Sequence, residues 1–512
     1  MNYVSIDQNN TPLWDAIPKL AALRGHGFAG VHWIEDVDVA FTRQFAEPGA
    51  PPIVAPERVY PNGNSDWGAS CFYSNFLGRN AVNPRVLEPW LRAPVATFAK
   101  RAGMSVDELY ARHASSDNFQ VIAPSHCGDH RHRTLGSLSL RELRDPLMEL
   151  FTHAWGDTRR AFPSPESRAR TDAFFSSEEK FLNAFFESGP AAMFTDLCAA
   201  WMARHLPGQE AGLATTALAQ GPHTLLRAFI RDYETLATLY NRAIAETRPG
   251  IAPLNIQKGE LPFFAVWNAG RQYRTTLSWQ GGALATDNET FPLEDGGPPL
   301  GKMRARGLAA VSPKALLLVL HARMDGRALA LPWQGSLYMP AARRLEALLA
   351  PRLGLVPGPV LRVRHHFLDR MGTLETPVAV PAWLAPFVGA DELPARMFVA
   401  RLREAQHEAR AELDAFQTAR HDPAPALTRD IVALRHARGE SKDTRENASL
   451  WQRQKHLQQQ HAAATLDRVL NLTHLLGLDY WDSRGAILPH ALALGGEAFY
   501  RHVLDEAEIF EE

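Results

Sequence analysis

Three carboxylates, Glu35, Asp36 and Asp38, close the segment GVHWIEDVDVAF, where an apolar run gives way abruptly to charge. Carboxylates so spaced can deprotonate or orient an amine, or bind a cation. The plainer reading is a solvated loop in which one acid caps a following helix. A second cluster fills residues 125–134, SHCGDHRHRT, with His126, Cys127, Asp129, His130 and His132. Imidazole and thiolate are ligands for zinc and iron. The spacing matches no finger pattern, and Arg131 and Arg133 oppose a cation and suit a carboxylate or phosphate instead. Metal site, anion site and structural polar loop all stay open for this cluster.

Three lesser groups carry weaker signals. In residues 62–75, NGNSDWGASCFYSN, Asn64, Asp66 and Ser70 could line a polar pocket and Cys71 could serve as a nucleophile, although no base can be paired with it. Asn268, Gly270 and Arg271, with Arg274, combine a turn glycine with guanidiniums able to clamp an anion. His365 and His366 come after Arg362 and Arg364 at the end of an expected strand and read as its polar end. Neither a complete dinucleotide fingerprint nor a P-loop is present.

Elements must position these groups. Residues 3–6 read as a short strand, and residues 13–23 as a helix with Leu13, Ile17, Leu20 and Leu23 on one face. Gly25, His26 and Gly27 end that helix, and residues 30–34 return as a strand. This strand–helix–strand order predicts a parallel sheet, with the acidic trio at its carboxyl edge, where ligands bind in open α/β sheets. Further strands are expected at residues 118–124, 211–214 and 360–363. Residues 263–277 with 278–296 predict a hairpin region with glycine-rich turns. Residues 314–320 read as a buried strand or the start of a buried helix. Residues 392–418 and 447–476, separated by HDPAPALTRD, predict two long helices in an antiparallel pair or coiled coil.

Bulk properties narrow the function. The chain has 512 residues, 46% hydrophobic and 21% charged, which suits a folded globular protein. A net charge of −2 gives no electrostatic case for nucleic acid or an anionic membrane as partner. No apolar run is long enough to span a bilayer, and MNYVSIDQNN lacks the pattern of a signal peptide. The three cysteines, Cys71, Cys127 and Cys198, are sparse and far apart, which predicts free thiols in a reducing cytoplasm.

Several segments together resemble the cysteine-adding enzyme family of bacillithiol biosynthesis. TPLWDAIPKLAALRGHGFAGVHWIEDVDVAF resembles its Gly-Pro-Leu-Tyr segment, helix, and strand ending in Phe-Trp and Glu-Asp-His-Asp. AAMFTDLCAAWMARHLPGQEAGLATTA, LNIQKGELPFFAVWNAGRQYRTTL, VSPKALLLVLHARM, LPWQGSLYMPAARRLEALL and LGGEAFYRHVLDEAEIF resemble later segments in the same order. The family's helical segment ahead of the first motif has no counterpart here. Its Thr-Gly-Gln-Gln loop is reduced to residues 6–10, keeping Gln8, its motif histidine is Val37, and its glycine-rich turn keeps Gly335 and Tyr338.

The resemblance implies an α/β fold with a Rossmann-like parallel-sheet core, an inserted connecting region, and a protruding coiled coil able to pair two subunits. The expected division is a core over residues 1–390, with an unplaced loop-rich insertion at 62–135 and a hairpin region at 250–310. A helical pair comes next over 391–475, and 476–512 returns to the core. The implied activity is ligation of cysteine to the amine of glucosaminyl malate or another small metabolite. Glu35, Asp36 and Asp38 would be catalytic. Gln8, Asn10, His126, Asp129, His130, Arg131, Arg271, Arg323 and Tyr338 would bind substrate. No resident metal is expected, the alternative being His126, Cys127, His130 and His132. ATP is a candidate activator that no motif identifies. A metabolite-binding homologue without catalysis, and a metal-dependent enzyme, are the alternative functions.

Overall fold

The computed structural model describes residues 3–7, 13–28, 32–35, 53–56, 76–77, 84–105, 108–109, 119–122, 132–133, 140–189, 194–208, 211–212, 223–249, 251–268, 272–286, 289–334, 338–479, 481–482 and 488–512. The strands are β1 (Tyr3–Asp7), β2 (His32–Glu35), β3 (Ile53–Pro56), β4 (Phe119–Ile122), β5 (His132–Arg133) and β6 (Ala211–Gly212). Next come β7 (Glu260–Asn268), β8 (Gln272–Trp279), β9 (Ala283–Ala285), β10 (Thr290–Pro292) and β11 (Leu308–Pro313). The last are β12 (Ala328–Pro332), β13 (Val360–Arg364), β14 (Pro377–Ala379), β15 (Glu392–Pro394) and β16 (Glu508–Glu511).

The helix Leu13–Gly25 forms between β1 and β2 because its apolar residues recur at helical spacing. Trp14, Ile17, Leu20 and Leu23 are all buried. Gly27, at φ +82°, takes the left-handed conformation that turns the chain back toward β2. β1 then pairs in parallel with β2, in the register Val4 with His32 through Asp7 with Glu35. The mixed sheet runs β6-β2-β1-β12-β13-β16, with β16 antiparallel to β13. The C-terminal segment thus returns to the sheet edge. The period-two alternation of β12 divides its side chains between two cores. Ala328 and Ala330 pack in one, and Leu329 and Leu331 in the other.

The expected class, an α/β protein with a Rossmann-like parallel-sheet core, is corrected. Most of the described residues are helical, and the second large sheet, β10-β9-β8-β7-β11 with β5 added against β8, is antiparallel. The strand–helix–strand unit at the start is real and recurs once, as β12, the helix Met339–Leu353 and β13, but the two units are far apart in the chain. A single crossover helix does not link β2 to β6; between them, among the described residues, run Pro84–Leu91, Val95–Arg101, Leu140–Ala161, Pro165–Ser188 and Phe194–His205. The whole antiparallel sheet apart from β5 lies in the chain between β6 and β12. These helices pack largely on other helices: Pro165–Ser188 lies against Leu488–Asp505 and Leu140–Ala161, and Phe194–His205 against Leu13–Gly25. Trp14 meets Trp201, Phe174 and Phe175 edge-on, with centroids 5.2, 5.5 and 5.6 Å apart.

Other elements resolve an open alternative or differ from expectation. The segment beginning at Lys314 resolves as the helix Ala315–Ala322, its leucines buried. The expected pair of long helices is three: Ala395–Gln417, Pro425–Glu440 and Thr444–Gly477. Asp443 caps the last of these, its side chain accepting from the amides of Arg445 and Glu446. Arg468 joins the first to the third by two bonds to Glu412, at 2.8 and 2.7 Å. None of the described helices is long and apolar enough to cross a membrane.

Candidate functional site

β1, β2, β12 and β13 are mutually parallel, so their carboxyl ends, Asp7, Glu35, Pro332 and Arg364, share one edge of the mixed sheet. The chain places β2 on one side of β1 and β12 on the other, so strand order reverses at β1. Asp7 and Glu35 are register partners there, one strand spacing apart.

The side chains described at this edge belong to β13 and to the residues just beyond β12 and β13. Trp333 comes directly after β12, and its amide donates to the Val363 carbonyl at 2.9 Å. That bond holds its ring against the next strand, and the Arg364 guanidinium lies 4.1 Å from the ring centroid. Arg364 Nη2 reaches Asp482 Oδ2 at 3.4 Å, while Asp482 Oδ1 accepts the Leu368 amide at 2.8 Å. His365 donates its amide to the Asp482 carbonyl at 2.8 Å, and its imidazole is wholly buried. Burial, aided by Lys19 and His366, pushes that imidazole down to about 3. Asp479 is held above the ordinary carboxylate range, chiefly by burial and further by the Asp482 charge, against a hydrogen bond from Gln406 that lowers it.

Of the residues selected from sequence, Gln8, Asn10, Asp36, Asp38, His126, Cys127, Asp129, His130, Arg131 and Arg271 lie outside the described residues. So do Asn64, Asp66, Ser70 and Cys71. Glu35 ends β2 at the carboxyl edge. His132 lies in β5 and pairs with Arg274 on the antiparallel sheet. The acidic strand end and the described end of the histidine segment therefore belong to different sheets. Tyr338 is the residue before the helix Met339–Leu353 and is half-buried.

Arg323 is placed differently from the expected anion-binding group. It is 1% exposed, and its Nε and Nη1 donate to the carbonyls of Val319 and Gly358 at 3.1 and 2.9 Å. Its Nη2 is paired with Glu346. All three nitrogens are committed within the fold, so this arginine ties the helix Ala315–Ala322 to the loop before β13.

Asp7, Trp333 and Asp482 were not selected from sequence. Asp7 carried a usable signal, being the acid at the end of the first strand. Trp333 and Asp482 carried none, because they meet Arg364 from segments far apart in the chain. Among the described residues no group of three or more His, Cys, Asp or Glu is arranged to hold a metal ion. Among known proteins, no family model matches the chain, and no curated sequence matches it.

Proposed function

We propose that this chain is an enzyme joining an amino acid to the amine of a small metabolite, working at the carboxyl edge of the mixed sheet. The observation that carries the reading is the register of Asp7 with Glu35, two acidic positions side by side at the ends of β1 and β2. Amide formation needs a base to take the proton from an amine as nitrogen attacks an activated carboxyl carbon. The leaving group departs from that carbon as the C–N bond completes. One carboxylate at this edge serves as the base and a second orients the ammonium before deprotonation. Asp36 and Asp38 lie just beyond Glu35 in the chain and extend the same acidic segment. The family resemblance favours cysteine as the acyl component, and ATP is a candidate for activating it.

On this reading the protein works in a reducing cytoplasm. Two copies pair through the helices Ala395–Gln417, Pro425–Glu440 and Thr444–Gly477, where Val432 and Trp451 are each 43% exposed. The test incubates purified protein with cysteine, ATP and a panel of amino sugars and other small amines, with product measured by mass spectrometry. Asp7→Asn and Glu35→Gln should each lower product formation by about a hundredfold or more while circular dichroism is unchanged. Absence of product with the wild-type chain, or full activity in both variants, overturns the proposal. Saturable binding without turnover would instead mark a metabolite-binding protein.

A further inference from the structure

We propose that Arg364, stacked on Trp333 at the ends of β12 and β13, is a binding site for an oxyanion of the ligand, a carboxylate or a phosphate. This rests on the reading of the carboxyl edge as the substrate cleft, but binding can be measured without turnover. Two arginines alternate on β13, and their surroundings separate their roles. The Arg362 side chain is 8% exposed, with Nε bonded to Glu512 at 2.7 Å and Nη1 to the Pro332 carbonyl at 2.9 Å. Such an arginine is a structural tie.

Arg364 is built otherwise. Its side chain is 29% exposed, and its nearest acidic atom lies at 3.4 Å, well beyond a normal charge-assisted bond. That acid, Asp482, is also engaged by the Leu368 amide. Arg364 Nε has no hydrogen-bond partner among the described residues. Trp333 holds the guanidinium plane from one side, so its orientation is fixed while its charge is only partly answered. A guanidinium fixed by stacking has less freedom to lose when it grips a planar or tetrahedral oxyanion. Asp479 and Asp482 set the limit of the site by disfavouring anions placed on their side of Arg364.

The experiment is isothermal titration calorimetry of the full chain with two probes used separately, succinate and inorganic phosphate. At least one probe is expected to bind saturably, and which one binds more tightly identifies carboxylate or phosphate as the group taken. Arg364→Ala should weaken that binding about tenfold or more, a loss typical of one charge-assisted contact. Arg364→Lys should weaken it less, keeping charge but losing the fork and the stack. Trp333→Leu should weaken it, whereas Arg396→Ala, which alters an exposed pair with Glu375 elsewhere, should not.

No saturable binding of either probe to the wild-type chain overturns the proposal, as does wild-type affinity in the Arg364 variants. If Arg364→Ala fails to fold, Arg364→Lys decides the matter by the same criterion. Anion binding by a chain that makes no amide upholds this site and sinks only the ligase reading. Amide formation that persists when anion binding is absent does the reverse.

Discussion

Arg362 and Glu512 join β13 to the residue just after β16 through a 2.7 Å bond between a nearly buried guanidinium and a partly exposed carboxylate. The same arginine donates to the Pro332 carbonyl, so it ties three successive strands of the mixed sheet. Arg362→Ala leaves a part-buried carbonyl and a partly exposed carboxylate without their donor. The expected loss is about 2 kcal/mol in urea unfolding. Arg364→Ala, two positions on, should cost less than about 1 kcal/mol because its contacts are longer and more exposed. Equal losses for the two would contradict the roles assigned to them.

Glu178 is 1% exposed and accepts from Trp201 Nε1, from Arg204 Nε at 2.9 Å, and contacts His205 Nε2 at 3.0 Å. Burial pushes its carboxyl up, but His205, Trp201 and Arg204 together outweigh burial and hold it below 4.5. A depressed carboxylate stabilises the fold above its unfolded value and loses that contribution as pH falls through its folded value. Glu178→Gln should therefore cost about 3 kcal/mol at neutral pH. The difference from wild type should shrink below pH 4.5, which chemical unfolding at a series of pH values will read.

His365 has both ring nitrogens without partners among the described residues, and burial holds its protonation down to about 3. The unfolded chain binds this proton near 6.5 and the folded chain does not, so stability falls as pH drops from 6.5 toward 3. The slope from this group alone is at most about 1.4 kcal/mol per pH unit. His365→Leu should leave neutral-pH stability within about 1 kcal/mol of wild type and flatten the acid limb. An acid limb unchanged in the variant would place that sensitivity in other groups, such as the equally buried His490.

Gly259 turns the chain into β7 at φ +69°, and a Cβ there would stand 2.0 Å from the Trp279 carbonyl oxygen. That oxygen belongs to the neighbouring strand and cannot move aside cheaply. Gly259→Ala should lower stability by about 2 kcal/mol or more, from the left-handed backbone and the clash together. Gly281→Ala, also at positive φ but with open space around it, should lose about 1 kcal/mol. Thermal unfolding of the two variants separates the steric part from the conformational part.

Local pattern was enough to determine the helix Leu13–Gly25, the hairpin of β7 and β8, the strand β13 and two of the three long helices after residue 394, because each depends on neighbours within a few turns of chain. It also placed Glu35 at a strand end. Sheet membership was decided elsewhere. One strand–helix–strand unit does not tell whether the next strand comes after one helix or after several, and here β6 comes after several, which pack largely on helices from distant parts of the chain. Arg323 and Arg364 look alike in the sequence, each placed at the end of an apolar run. Only tertiary packing commits the first to Glu346 and carbonyls and leaves the second stacked and partly exposed. A guanidinium's role depends on which acceptors the fold brings within about 3 Å of it, and those acceptors come from distant segments that no local spacing encodes.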